Sequence, residues 1–219
     1  MTTFPNSPRV LKGGIVLLDA ESSAVQRIIT LQYNPDTLTR SLQVQSVGGE
    51  QGDKSDALRL KGPPVETIKL DAEIDATDQL EFPDQNPNAG QLGIHPQLAA
   101  LETIVYPTSA QLQANHRLAA SGTLEIVPMQ APLTLFIWSQ NRIVPVRITD
   151  FSITEEAFDP ALNPIRAKVS LGMRVLSVND LGFNHKGGSL FMVYQQQKER
   201  LARLNRAGAL TELGLKGIP

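Results

Sequence analysis

The chain has 219 residues, 41% of them hydrophobic and 19% charged, with 15 prolines, 16 glycines and no cysteine. That balance supports a globular core and excludes a disulfide framework or a thiolate centre. A formal charge of −2 argues against nucleic acid as the main partner, because phosphate binding needs clustered cations. No apolar run approaches the roughly 18 residues that cross a bilayer, and MTTFPNSPRV lacks the basic-then-apolar pattern of a secretory signal. The expectation is a cytoplasmic protein without direct membrane contact.

Strand signals dominate the chain. GGIVLLD, the turn DAESS and the β-branched run QRIITLQY (26–33) read as a meander, closed by the turn residues NPDT. Asn34 is expected to accept hydrogen bonds from the backbone that follows it. TRSLQVQSV (39–47) resumes as a strand with Leu42 and Val44 on one face. A loop at 48–64 follows. From Val65, Ile68, Leu70, Ala72 and Ile74 alternate with Lys69, Asp71, Glu73 and Asp75, the pattern of a half-buried strand. After a second long loop, 76–94, HPQLAALETIVYP reads as a helix with proline at its first position and Pro107 as its end.

PLTLFIW (132–138) and RIVPVRI (142–148) form a hairpin across Ser139-Gln140-Asn141. Pro145 removes a ladder donor, which predicts an edge or a bulge there. The apolar phase then moves from Val144, Val146 and Ile148 to Phe151 and Ile153, the mark of a bulge near Thr149–Asp150. Residues 165–175 alternate without a break: Ile165, Ala167, Val169, Leu171, Met173 and Val175 face one way, and Arg166, Lys168 and Arg174 the other. At about 3.4 Å per residue they extend for roughly 37 Å, long for a strand. The two arms of this element are placed at 142–158 and 165–178. SLFMVYQQQKERLARLNRAG is a second helix, with Ser189 as N-cap, a stripe of Leu190, Tyr194, Leu201 and Leu204, and Gly208 as its stop. No repeat or low-complexity tract divides the chain. It reads as one domain over 1–219, with a core at about 10–180 and a C-terminal helix and tail at about 188–219.

The candidate chemistry is sparse. His95, His116 and His185 lack the short spacing of a zinc site. HKGGS (185–189) has a glycine-rich turn before a helix, but its lysine precedes the glycines, so it reads as a turn rather than a phosphate loop. Asp71, Glu73, Asp75, Asp78, Glu81 and Asp84 gather without a calcium-loop pattern and read as solvated. Glu155 and Glu156 are strand neighbours pointing to opposite faces, so they cannot act as one acid/base pair. Asp159-Pro160 and Asn163-Pro164 turn that stretch into a hairpin. No catalytic residue, metal or cofactor is expected. The residues singled out are instead interface candidates: Lys69, Asp71, Glu73, Asp75, Glu155, Glu156, Arg166, Lys168 and Arg174. The acidic face Asp71, Glu73, Asp75 is suited to meet the basic face Arg166, Lys168, Arg174 of another strand or subunit.

The ordered segments ITLQYNPDTLTRS, GIHPQLAALETIVYP, PLTLFIW and RIVPVRITDFSITEEAFDPALNPIRAKVSLGMRVL resemble the tube-type baseplate proteins of contractile injection systems, over roughly residues 10–205. QYNP and FDPALNPIRAKVSL carry the resemblance most specifically. It implies a mainly β fold with flanking helices (α+β): a tail-tube-like β-sandwich or barrel, with one central helix and a C-terminal helix, assembled as a homohexameric ring. It further implies a structural, non-catalytic role as tube initiator or baseplate adaptor. The partners would be a spike/hub protein on one side, a tube ring on the other, and baseplate proteins, all within a phage-tail-like particle assembled in the bacterial cytoplasm. No small-molecule substrate is implied. Several such proteins add a C-terminal LysM module, for which the tail here is too short. That departure leaves the main inner-tube subunit open as an alternative.

Two other classes compete. A stand-alone β-sandwich binding module would need exposed aromatics, and the chain has one tryptophan, three tyrosines and seven phenylalanines. Trp138, within PLTLFIW, reads as core or edge. A hydrolase using the acidic stretch 71–84 lacks a histidine or serine partner nearby in sequence.

Overall fold

The computed structural model describes residues 10–19, 22–47, 58–122, 131–205 and 208–218. The alternating segments become strands β1 (Gly14–Leu18), β2 (Val25–Thr30), β3 (Leu38–Gln43), β4 (Val65–Asp75), β5 (Leu133–Ser139), β6 (Arg142–Phe158) and β7 (Pro164–Val175). They form one antiparallel sheet in the order β2-β1-β5-β6-β7-β4-β3. The fold is therefore mainly β with flanking helices, as expected.

The sheet does not lie flat. Thr30 is level with Ile143 through the pairs with Gly14 and Ile137, whereas Asp75 is level with Glu156 through Arg166. At about 3.3 Å per residue, those two levels lie on the order of 40 Å apart along β6 in a flat sheet. Yet Gln32, two residues beyond β2, donates to the Asp75 carbonyl (2.6 Å) and accepts from the Asp75 amide (3.0 Å). The sheet must fold over itself for one side chain to close that distance. The inward residues of five strands, including Ile15, Ile68, Phe136, Val144 and Met173, then share one core. β2 and β3 are left as the two edges.

β6 and β7 form the long hairpin, somewhat shorter on the second arm than 165–178. Its register is Ile148↔Met173 then Asp150↔Gly172, so Thr149 is the extra residue and the predicted bulge is present. Gly172 has a steric reason: a Cβ there would lie 2.6 Å from Asp150 Oδ2 and 2.9 Å from Asp150 Cβ. The expectation of an edge or bulge at Pro145 needs correcting. Pro145 is fully buried in an interior strand, opposite Leu135. Its carbonyl accepts from Leu176 N (2.9 Å) just past the end of β7, so its missing N–H falls where that ladder stops.

The helices depart more from expectation. The stretch expected as loop 76–94 contains α1 (Thr77–Leu80) and α2 (Pro87–Leu92). The central helix is shorter than predicted, as α3 (His95–Glu102). A further helix, α4 (Ser109–Ala120), follows; Thr108 and Gln111 close a capping box at its start, and none of its residues is buried. There is thus more than one central helix. α5 (Val178–Leu181) leads into α6 (Lys186–Leu204). α6 begins four residues earlier than predicted: His185, not Ser189, is its N-cap, with Nδ1 accepting from Gly187 N at 3.0 Å. HKGGS is therefore mostly the first turn of a helix, with Gly187 and Gly188 buried. The helix ends at Leu204, with Asn205 as C-cap, before Gly208. Of the predicted loop 48–64, residues 48–57 lie outside the described residues, as do residues 20–21 of the DAESS turn.

Candidate interface surfaces

The outward face of the sheet carries most of the candidate residues. Across β6, β7 and β4 the rows are Glu156–Arg166–Asp75, then Thr154–Lys168–Glu73, then Ser152–Ser170–Asp71, then Asp150–Gly172–Lys69. The acidic face of β4 therefore meets the basic face of β7 within one subunit, as directly opposed strand neighbours. Arg166 Nε lies 3.1 Å from Glu156 Oε2, Lys168 Nζ lies 3.6 Å from Glu156 Oε1, and Ser170 Oγ donates to Asp71 at 2.6 Å. Hydrogen bonds from Thr77, opposed by burial and assisted by the charge of Arg166, hold the Asp75 carboxyl below its usual range. These pairs are exposed, so each contributes at most about 1 kcal/mol; their service is to fix register and neutralise the face.

Two candidates fall outside these rows, Arg174 farther along the same outward face and Glu155 on the inward side. Arg174 sits opposite Thr67 and Arg147, not an acid, and binds Asp180 of α5 at 2.7 Å. Glu155 opposes Ala167 at the exposed end of the inward side. Strand geometry separates it from Glu156, as expected. At the hairpin tip the Asp159 carboxylate accepts from Ala161 N, Asn163 N and Asn163 Nδ2, each at 2.8 Å. Those bonds, from Asn163 above all, hold its carboxyl below the usual range and close the DPALN turn.

One cluster escaped sequence reasoning. Glu66, buried on β4, accepts from Arg40 Nε of β3 (2.8 Å), and from Tyr194 Oη and Lys198 Nζ of α6 (3.0 Å each). Lys198 also stands 4.0 Å over the Tyr194 ring. The signal was legible: Glu66 shares the phase of Ile68, Leu70, Ala72 and Ile74, so the alternation sends a carboxylate inward. The cluster fastens α6 to the β3 edge of the sheet.

Between α1, α2 and α3 lies a cleft of about 300 Å³. Gln79, Gln85, Asn86, Asn88 and Gln97 line it with carboxamides, and no carboxylate does. Among the described residues, no three His, Asp or Glu side chains assemble a metal-binding group.

A family model described as "Contractile injection system tube protein" matches residues 16–179. No curated protein matches the chain. Solved structures similar to it include two from gene transfer agent particles. One is the tail of an empty GTA particle refined with C6 symmetry, at 14% identity over 75% of this chain and 90% of that chain, with a TM-score of 0.28. The other is the virion of a native gene transfer agent (GTA) particle, at 13% identity over 74% and 90%, with a TM-score of 0.26. Overlaps of this size are too loose to bear on function.

Proposed function

Because the chain belongs to the family of contractile injection system tube proteins, we propose that it forms a six-fold ring, as a tube initiator or baseplate adaptor that joins the spike/hub to the inner tube. The observation that carries the ring is a pair of edges, β2 and β3, beside which no further strand lies among the described residues. Every residue of β2 but one is exposed, including Val25 at 58% and Ile28 at 63%, and β3 on the other edge exposes Leu42 at 48%. A strand edge offers unpaired backbone N–H and C=O groups to another chain unless something covers it. Two unlike edges on one subunit suit a heterologous contact whose rotation closes, and closure leaves no edge free. The charge-compensated rows from Lys69 to Asp75 and from Arg166 to Lys168 would then form a polar face of the ring. The role is structural: Asp159, Glu156 and Asp71 already serve turn and strand pairing. A second reading, the main tube subunit, draws support from the unlike ends of the molecule, one basic and apolar at the end of α6 and one acidic and apolar at α1–α2.

Sedimentation and negative-stain imaging of the purified chain test this. Wild type is expected to give rings. Ile28→Lys should give a folded monomer, because a charge on an edge strand opposes pairing. Arg166→Glu with Lys168→Glu should preserve folding, judged by circular dichroism, and weaken assembly. Rings unaffected by Ile28→Lys would remove the edge argument, and unaltered assembly after the double reversal would remove the polar face from it.

A further inference from the structure

The two ends of the molecule carry unlike, complementary surfaces. At one end, near the turn between β5 and β6, α6 outruns the body that supports it. Phe191, Tyr194 and Lys198 lie along its inward stripe, and Gln197 Nε2 reaches Asn141 at 2.6 Å. The same stripe then continues into Leu201, 42% exposed, and the adjacent Leu204, 75% exposed. Arg200 and Arg203 flank them, also exposed, and among the described residues neither has an ion pair. Exposed apolar side chains continue into Leu213 and Ile218.

At the opposite end, past the far ends of β4 and β6, the turn between α1 and α2 presents Phe82 at 53% exposure, and α2 presents Leu92 at 46%. Asp78, Glu81 and Asp84 surround them, exposed, and residues 77–92 contain no lysine or arginine. Ile94 N donates to Pro164 O and Asn163 Nδ2 to Gln91 O, which anchors this surface to the base of the hairpin. Glu66 and Asp75 mark the two ends on a single strand, and their separation along it is about 30 Å. No copy can join its own two surfaces.

We propose that the overhanging end of α6 seats on the α1–α2 surface of a second copy, so that subunits associate end to end: Leu201 and Leu204 against Phe82 and Leu92, with Arg200 and Arg203 against Asp78 and Glu81. The pairing is apolar at its centre and opposite in charge at its rim, the anatomy of a protein interface. Because the two surfaces differ, each contact leaves one of each kind free, and the association propagates. This rests on the ring reading to the extent that the contact joins one ring to the next.

Full-length chains test it by charge exchange. Arg200→Glu with Arg203→Glu, or Asp78→Lys with Glu81→Lys, should leave ring formation intact and reduce stacking at least tenfold, read by sedimentation and by stack length in images. The chain carrying all four changes should stack again, since the rim charges are exchanged rather than lost. Stacking should also weaken as salt rises. Normal stacking by either reversed chain overturns the proposal, and so does a folded four-fold variant that fails to recover. Loss of ring closure with stacking retained overturns it too, by placing the contact within a ring. If wild type forms no ring, the ring reading fails separately, and the same four chains are compared for end-to-end dimers, with the same outcomes deciding.

Discussion

Replacing Glu66 with glutamine is expected to lower the unfolding free energy by about 3 kcal/mol and to loosen α6 before the rest of the sheet. The carboxylate is 3% exposed and accepts from Arg40 Nε (2.8 Å), Tyr194 Oη (3.0 Å) and Lys198 Nζ (3.0 Å), with Arg40 Nη2 in ion-pair contact at 2.7 Å. Glutamine keeps the shape but removes the charge, so two cations face each other across a neutral group. Breaking a buried pair by removing one partner costs about 3–5 kcal/mol. Arg40 and Lys198 are 27% and 33% exposed and can turn toward water, which places the cost at the lower end. Urea unfolding gives the total, and hydrogen exchange along α6 shows where the loss falls. A loss below about 0.5 kcal/mol would reduce the cluster to the weight of a surface ion pair.

The same cluster sets two pH windows. Burial pushes the Glu66 carboxyl up, but hydrogen bonds and charges from Lys198 and Arg40 outweigh it and leave it below its ordinary 4.5. A depressed carboxyl stabilises the fold above its unfolded value, and that stability is lost as pH falls through the lower folded value. Tyr194 behaves oppositely. Burial, then the charge of Glu66, pushes its phenol from 10.0 to about 12. The folded protein retains a proton that the unfolded chain releases, so stability declines as pH rises from about 10 to about 12. Melting temperature against pH should show both flanks. Tyr194→Phe should abolish the alkaline flank attributable to this residue and leave the acid one, at the cost of two hydrogen bonds, to Glu66 and from Arg40 Nη2, about 2 kcal/mol together.

Legibility followed the range of the interaction. The β6–β7 hairpin was readable because period-two alternation, a phase switch and the DP and NP dipeptides are local signals, and all three appear where the residues place them. The partners of a strand are not local. Nothing in residues 65–75 says that β7 lies beside β4, so the acidic and basic faces could be matched in sign but not assigned to one subunit. Asn34 shows the same limit. It was expected to bind the backbone after it, and it accepts instead from Gly13 N (2.9 Å) and donates to Leu11 O (2.7 Å). The helices failed for a different reason. α1, α2 and α4 bury almost nothing, so they leave no apolar stripe to read, and only the Thr108–Gln111 capping pair announced α4. Glu66 was missed because inward phase was read from the apolar residues alone.

Gly93→Ala is expected to cost about 3–5 kcal/mol, far more than its size suggests. Gly93 joins α2 to α3 at φ 57° and ψ −133°, a backbone region that costs a side chain about 1–3 kcal/mol. Space is denied as well as conformation: an added Cβ would overlap the Pro164 carbonyl oxygen and lie 3.1 Å from Asn163 Cβ. That oxygen accepts from Ile94 N at 2.9 Å, and Ile94 is fully buried in the core. Pushing the corner away therefore breaks a buried hydrogen bond, about 1 kcal/mol, and lifts an isoleucine from its contacts, about 1–3 kcal/mol more. Gly122 supplies the control. It also has a positive φ, 86°, but nothing lies within 4 Å of its missing Cβ, so Gly122→Ala should cost only the backbone strain. Urea unfolding of the two variants separates strain from close approach. Because α1 and α2 ride on this corner, Gly93→Ala should also impair end-to-end association in the fraction that still folds, whereas Gly122→Ala should not. Equal losses in stability would mean that the Pro164 contact yields freely, and the hairpin base would then not be what positions the α1–α2 surface.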